Sequence, residues 1–432
     1  MSGILADDVV PQRQPLQVSW TPAFVGLLVY VFVIMTYRLS IGTVAMAGAL
    51  VSLLLQRQAL RMPPFLWLFA AWTAWAAVGY VATPYPDVVR ESLIERGKLL
   101  LVTFVAINAL RTRTQVRYFM LFTLVSYILF PARSTLVNYV TGNTLLGRAI
   151  GPFIYVNPND LAAVTILMLG PAVALWAEGA PGSPIRWIGL AGAAPLLVII
   201  VLTQSRGAFL ALATMALPSA IALARRRPRA VTAFAALVAL ALYLAPGTFW
   251  KRIGGLRRGT SVETIGEMDT EGSARQRFAV LQTAIRIIED HPLLGVGLGA
   301  YREANAQYTP ALGHLDTHNT YLNVLAETGL AGLALFLGLV ASVLRGAREA
   351  RRRARRAVPA QTEMLRWLQY SLCGYLIAGL FGSYSHLTFL YVFLALLWSA
   401  SQTVRAQCKP VSAAQPPVRA DENVNPVAPR RR

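Results

Sequence analysis

Asp316-Thr317-His318-Asn319-Thr320-Tyr321-Leu322-Asn323-Val324-Leu325-Ala326-Glu327-Thr328-Gly329 closes a long polar segment and opens a hydrophobic helix. At about 100° per residue, His318, Leu322, Leu325, Gly329 and Gly332 share one helical face. The leucines suit packing on a neighbour, and the glycines let that neighbour's backbone come close. Asp316 or Thr317 is placed to cap the helix start. His318 then falls in the first turn, where the positive helix end disfavours imidazolium. A neutral imidazole accepts a proton, so the position suits a general base. A histidine solvated at a membrane surface fits the same spacing.

Outward from this stretch, long uncharged runs recur along the whole chain. Of the 432 residues 55% are apolar and only 14% charged, which points to an all-α polytopic membrane protein. Twelve spans are expected, near 21–37, 41–56, 64–83, 92–110, 116–131, 160–177, 186–203, 207–224, 230–246, 319–344, 366–383 and 386–404. Two connections are long, 132–159 and 247–318. The second contains Ser273–Glu289, which reads as an amphipathic helix with Phe278, Leu281, Ile285 and Ile288 on one side. The expected organisation is a cytoplasmic segment 1–20, nine helices in 21–246, one large outer loop 247–318, three helices in 319–404, and a disordered tail 405–432 rich in Pro, Ala and Arg. The first 20 residues lack the apolar core of a removable signal peptide.

A formal charge of +20 invites a nucleic-acid reading, but the basic residues sit in short loops between apolar segments, as topology signals do. Of the 40 Lys and Arg, 25 lie in the set of segments that includes both termini. The other set holds 15, of which 8 are in the long 247–318 loop, leaving 7 in short loops. The first set is therefore expected in the cytoplasm, and Arg148, Arg206, the 247–318 loop and His318 on the outer side. The two cysteines, Cys373 and Cys408, suggest neither a disulfide framework nor a zinc site. The sequence has no phosphate loop, no Gly-rich βα turn and no Asp-x-Asp. No cofactor, no metal and no nucleic-acid partner are expected.

Two cations stand out by position. Thr203-Gln204-Ser205-Arg206-Gly207 joins two spans with almost no loop. Helix of about 28 Å separates Arg206 from Arg225, which puts Arg206 at the outer boundary of the hydrocarbon. There it can simply snorkel, or it can offer its fork of donors to a phosphate. Leu99–Leu110 is too short to cross a bilayer alone, so its helix must reach back to about Ser92. That places Lys98 roughly 20 Å above the Arg111 boundary, inside the core. A submerged lysine is a functional candidate; snorkelling, or pairing with Glu91 or Glu95 on nearby turns, is the structural alternative. His314 and His386 fit no motif and are expected at an interface.

His318, Asn319, Leu322 and Gly329 fill the four fixed places of the H-[NSQ]-x-x-L-x-x-x-x-x-x-G signature of the O-antigen ligase/polymerase family, which this stretch resembles. Ser205-Arg206-Gly207-Ala208 followed by an apolar run resembles the same family. So do Gly272-Ser273-Ala274-Arg275 with His291-Pro292-Leu293-Leu294-Gly295-Val296-Gly297, and Arg148-Ala149-Ile150-Gly151-Pro152-Phe153 with Asn157-Pro158-Asn159. The four segments span roughly 145–335 in family order. The resemblance implies a glycosyltransferase-C-like fold and an inverting, metal-independent transfer of O-antigen polysaccharide from undecaprenyl diphosphate, in the inner membrane. The acceptor it implies is a sugar hydroxyl of lipid A-core, and the site it implies faces the periplasm. His318 would be the base, supported by Asn319 and Tyr321. Arg206, Arg275, Arg148 and Lys98 would bind the diphosphate. His291 would be structural, a His-Pro turn that ends a helix, with glycines bending the chain back. Within the family an O-antigen polymerase or a protein O-oligosaccharyltransferase is the alternative. Outside it, a lipid-linked sugar flippase or transporter would need polar residues across the bilayer, which the apolar spans 207–224 and 230–246 do not offer.

Overall fold

The computed structural model describes residues 19–37, 41–56, 59–224 and 273–408. Among them the chain is helical, with one isolated bridge between Leu145 and Arg148 and no named strand. The helices are α1 (Pro22–Thr36), α2 (Gly42–Leu55), α3 (Pro64–Gly79), α4 (Pro86–Ala109), α5 (Arg113–Tyr127), α6 (Arg133–Val140), α7 (Pro158–Glu178), α8 (Pro184–Leu202) and α9 (Arg206–Ala224). They continue with α10 (Ser273–Asp290), α11 (Tyr301–Tyr308), α12 (Thr320–Ala354), α13 (Pro359–Ala378) and α14 (Thr388–Gln407). Local chemistry sets many starts. Proline opens α1, α3, α4, α7, α8 and α13, where its missing N–H costs nothing. Thr112 and Gln115 form a capping box on α5, and Ser183 caps α8.

Helices stand over every expected span except 230–246, which lies outside the described residues, as do the 1–18 segment, the 247–272 stretch and the tail beyond 408. By length and composition five helical stretches can cross a membrane: Arg113–Val140, Pro158–Glu178, Pro184–Leu202, Thr320–Ala354 and Thr388–Gln407. Four shorter apolar helices accompany them: Pro22–Thr36, Gly42–Leu55, Pro64–Gly79 and Arg206–Pro218. The fifth expected span is longer than its apolar run suggests. A π-helical turn, Ile128–Ala132, absorbs Pro131 and lets the helix continue into α6, so the long connection begins after Val140 rather than at 132.

Burial separates the centre from the rim. The apolar windows of α7 and α14 are each 78% buried, that of α8 only 28%. α13 packs on α7 and α9, α12 on α3 and α14, and α14 on α4. A second, smaller core lies at one end of the bundle, where Val280, Ala284 and Ile287 of α10 meet Tyr301 and Ala304 of α11, Val296, Ala76, Val89 and Ala326. This corrects the expected stripe of α10. Phe278, Leu281 and Ile288 are only half-buried and Ile285 is exposed, because the helix turns Val280, Thr283, Ala284 and Ile287 toward Tyr301.

Candidate functional site

α12 is broken inside its apolar run. Gly329 has φ 67° and ψ −172°, which ends one helical segment and starts another. The break frees backbone groups that water cannot reach, and neighbouring chain takes them up. The Val296 N–H donates to the Ala326 carbonyl (2.9 Å) and the Gly297 N–H to the Glu327 carbonyl (3.1 Å). The Leu330 N–H donates to the Pro292 carbonyl (2.9 Å), and Trp75 Nε1 to the Thr328 carbonyl (2.9 Å). The His291–Gly297 turn thus lies directly on the break. A Cβ on Gly329 would stand 1.9 Å from the Leu293 carbonyl oxygen, so the close approach expected of this glycine is realised. The His291 N–H closes α10 on the Ile287 carbonyl, as the His-Pro turn implies.

The short segment before the break carries His318, but not in the expected register. Asn319 is the cap of α12: its Oδ1 accepts from the N–H groups of Tyr321 (2.9 Å) and Leu322 (3.1 Å). His318 therefore precedes the helix, with φ 50°, instead of occupying its first turn. The reason is non-local. The loop between α13 and α14 fixes where the helix can begin. The Thr320 N–H donates to the Gly379 carbonyl (2.7 Å) and Thr320 Oγ1 to the Gly382 carbonyl (2.7 Å), while the Tyr384 N–H donates to Thr320 Oγ1 (2.9 Å). Thr317 and Ser383 hydroxyls meet at 2.8 Å, and Ser383 Oγ donates to Asp316 Oδ1 (2.8 Å). The buried face shifts with the register: Leu322 and Leu325 are half-buried, whereas Asn323, Val324, Ala326 and Glu327 are buried.

His318 is half-buried among charges. Burial holds its imidazole below the ordinary 6.5; Arg277 pushes the same way, Asp316 opposes, and Arg302 adds to the lowering. The imidazole thus stays neutral, able to accept a proton, to lower pH than an exposed histidine. The left-handed φ costs roughly 1–3 kcal/mol and persists only because the surrounding bonds hold it.

The loop between α13 and α14 also gathers the arginine hairpins. Arg206 opens α9 and is exposed. A Cβ on the next residue, Gly207, would stand 2.6 Å from the Phe381 ring, so this helix start abuts the loop that seats Thr317 and Thr320. Arg148 donates through Nε to the Thr203 carbonyl (2.8 Å) and through an Nη to Asn159 Oδ1 (2.9 Å), which fastens the 145–151 loop to the Arg206 hairpin. Asn157 caps α7. Tyr321 donates its hydroxyl to the Leu376 carbonyl (2.7 Å), a bond between helices. Arg275 is in the first turn of α10, but its side chain lies outside the described residues.

Lys98 pairs with Glu95 at 2.6 Å, one turn away, the structural alternative read from the sequence, and both side chains are more than half exposed. The buried cation of α4 is Arg96, two residues earlier and so on another face. Its guanidinium lies 3.9 Å over the Trp72 ring and donates to the Tyr391 hydroxyl (2.8 Å). Three residues that sequence reasoning passed over belong with His318. Arg277 of α10 and Arg302 of α11 act on it through their charges. Glu327, buried beside the break, accepts from Asn323 Nδ2 (3.1 Å) and from the Gly299 backbone, tying the segment before α11 to the helix that His318 precedes. A lone carboxylate in an apolar run, two residues before a glycine, is a signal that was there to read. His314 pairs with Glu303 (3.2 Å), and His386 is exposed. Among the described residues no three His, Cys, Asp or Glu side chains gather as a metal site.

No curated protein matches the chain. A family model described as O-antigen ligase matches residues 191–337. The matched segment holds Arg206, Arg275, Arg277, Arg302, His318 and Glu327, and it ends beyond the helix break.

Proposed function

We propose that this member of the O-antigen ligase family moves a glycan from undecaprenyl diphosphate onto a sugar hydroxyl of lipid A-core, with inversion and without a metal. The observation that supports it most is the setting of His318: a half-buried imidazole kept neutral between Arg277, Arg302 and Asp316, at the end of the bundle where the Arg148 and Arg206 hairpins also meet. In the proposed step the acceptor oxygen attacks the anomeric carbon as the bond to the diphosphate breaks. His318 takes the acceptor proton. The carrier diphosphate leaves with the bond electrons, and guanidinium groups stabilise its charge. Arg206, Arg275 and Arg277 are the proposed phosphate ligands. Arg148 positions the Arg206 hairpin, and Lys98 drops out of the set. Asn319 and Tyr321 act by fixing where α12 begins.

In this reading the His318 end faces the periplasm and both termini face the cytoplasm. Single cysteines at the exposed positions Gln307 and Arg355 test the orientation: an impermeant thiol reagent should label the first in intact spheroplasts and spare the second. The activity is tested with purified protein, lipid-linked glycan and lipid A-core, with no energy source. Transfer onto the core supports a ligase. Lengthening of the donor glycan would identify a polymerase, and absence of both reactions would leave a transporter.

A further inference from the structure

At the end of the bundle opposite His318, two arginines, Arg61 and Arg111, are joined through one buried amide. Arg61 lies in the connection between α2 and α3, and Arg111 in that between α4 and α5. Asn108, buried at the end of α4, ties the two connections together. Its Oδ1 accepts from the Arg61 N–H (2.7 Å) and from Arg111 Nη2 (3.1 Å), and its Nδ2 donates to the Arg61 carbonyl (3.2 Å). Arg111 also donates through Nε to the Asn108 carbonyl (2.9 Å) and through Nη2 to the Ala59 carbonyl (2.9 Å). The backbone around Arg61 is therefore fixed, but among the described residues no hydrogen bond holds its side chain, and its buried Nη1 has no partner among them. Among the described residues no carboxylate pairs with either arginine. Burial, and then the facing charge of Arg111, hold the Arg61 guanidinium below its ordinary value.

Two neighbouring like charges and a buried N–H without an acceptor among the described residues are both unfavourable, and one anion would relieve both. The neighbouring surface indicates its kind. Leu54, Leu55, Leu60 and Met62 flank the arginines and are 64%, 78%, 40% and 46% exposed, an apolar rim fit for an acyl chain. We infer that Arg61 and Arg111 form a binding site for the headgroup phosphate of an anionic phospholipid, whose chains lie on Leu54, Leu55, Leu60 and Met62. A guanidinium fork suits phosphate oxygens, and a pair of them with no acid between favours a net anionic headgroup over a zwitterionic one. The site is independent of the transfer reaction and of His318.

The test is lipid binding to the purified full chain in detergent, read by native mass spectrometry and by thermal unfolding. Phosphatidylglycerol should bind the parent more tightly than phosphatidylcholine and raise its unfolding temperature. Arg61→Gln should weaken phosphatidylglycerol binding about tenfold, the worth of one charge-assisted hydrogen bond, while Arg345→Gln, an exposed arginine elsewhere, should not. Arg61→Lys, which keeps charge without the fork, should fall between. Without lipid, Arg61→Gln should unfold no earlier than the parent, because no hydrogen bond among the described residues holds the side chain it removes, which repels Arg111. Equal phosphatidylglycerol binding by the parent and both Arg61 variants would overturn the site. Equal stabilisation by inorganic phosphate would overturn its assignment to a lipid.

Discussion

At one end of the bundle Arg113 and Arg117 converge on Glu178; at the other, the charges of Arg277, Arg302 and Asp316 act on His318. The first group is consumed by the fold. The Glu178 side chain is 1% exposed and takes Arg113 at 2.8 Å and Arg117 at 3.0 Å, joining α5 to α7. Nearby, Arg405 donates to the Gly346 carbonyl and to Glu349 (both 2.9 Å), joining α14 to α12. At the His318 end, hydroxyls, amides and backbone carry the structural bonds. Thr320, Asn319, Ser383 and the His291–Gly297 turn hold the break and the cap, and Asp316 and Glu327 accept from Ser383 and Asn323. Arginine is common at both ends, so its abundance says nothing of function; what holds the carboxylates does.

That difference can be broken from either side. The largest effect is expected at Gly329. Any side chain there meets the Leu293 carbonyl and must also adopt φ 67°. Gly329→Ala should cost about 4 kcal/mol or more, well above ordinary surface changes, and little folded protein should accumulate. A normal yield would mean that the break is not a fixed feature. Next, Glu178→Ala takes a buried carboxylate from two half-exposed guanidiniums and should cost about 2 kcal/mol of stability. Chemical denaturation reads this, and turnover per folded molecule should stay at the parent's level. Reduced turnover with parental stability would refute the division between the ends.

Smaller effects sharpen the account of the His318 end. Arg206→Lys keeps the charge but loses the bidentate fork, so transfer should fall about tenfold with the unfolding temperature unchanged. Arg302→Gln removes one of the charges that hold the His318 pKa down. The imidazole should then protonate at higher pH, and the acid limb of the rate profile should move up by less than about one unit. Movement of that limb downward would mean that the limb does not belong to His318.

Much of the fold was legible because long apolar runs leave few alternatives to membrane helices, and Pro22, Pro64, Pro86, Pro158, Pro184 and Pro359 mark their starts. What depended on partners distant in sequence was not. Asp316, Thr317 and Asn319 can all cap a helix; the Gly379 and Gly382 carbonyls decide among them by holding Thr320. In α4 the sequence favoured Lys98, yet a shift of two residues turns a side chain to another face, and the ring that selects Arg96 comes from Trp72 on α3. The α13–α14 loop, which seats the histidine, carries no local mark of that role. His318 and Arg206 are candidates that the sequence offers, whereas Arg277, Arg302 and Glu327 become candidates only with the packing of α10 and α11 onto the break.

The most direct test of His318 is single-turnover transfer by protein already loaded with lipid-linked donor, parent beside His318→Ala, as a function of pH. The proposed role predicts a rate lowered by about 10²–10⁴, the usual worth of a general base, with donor retained and unfolding temperature unchanged. The parent's rate should fall with acid only below the ordinary histidine value of 6.5, and that limb should vanish in the variant. A variant that turns over within about threefold of the parent, well under the general-base range, or that keeps the parent's acid limb, would contradict it.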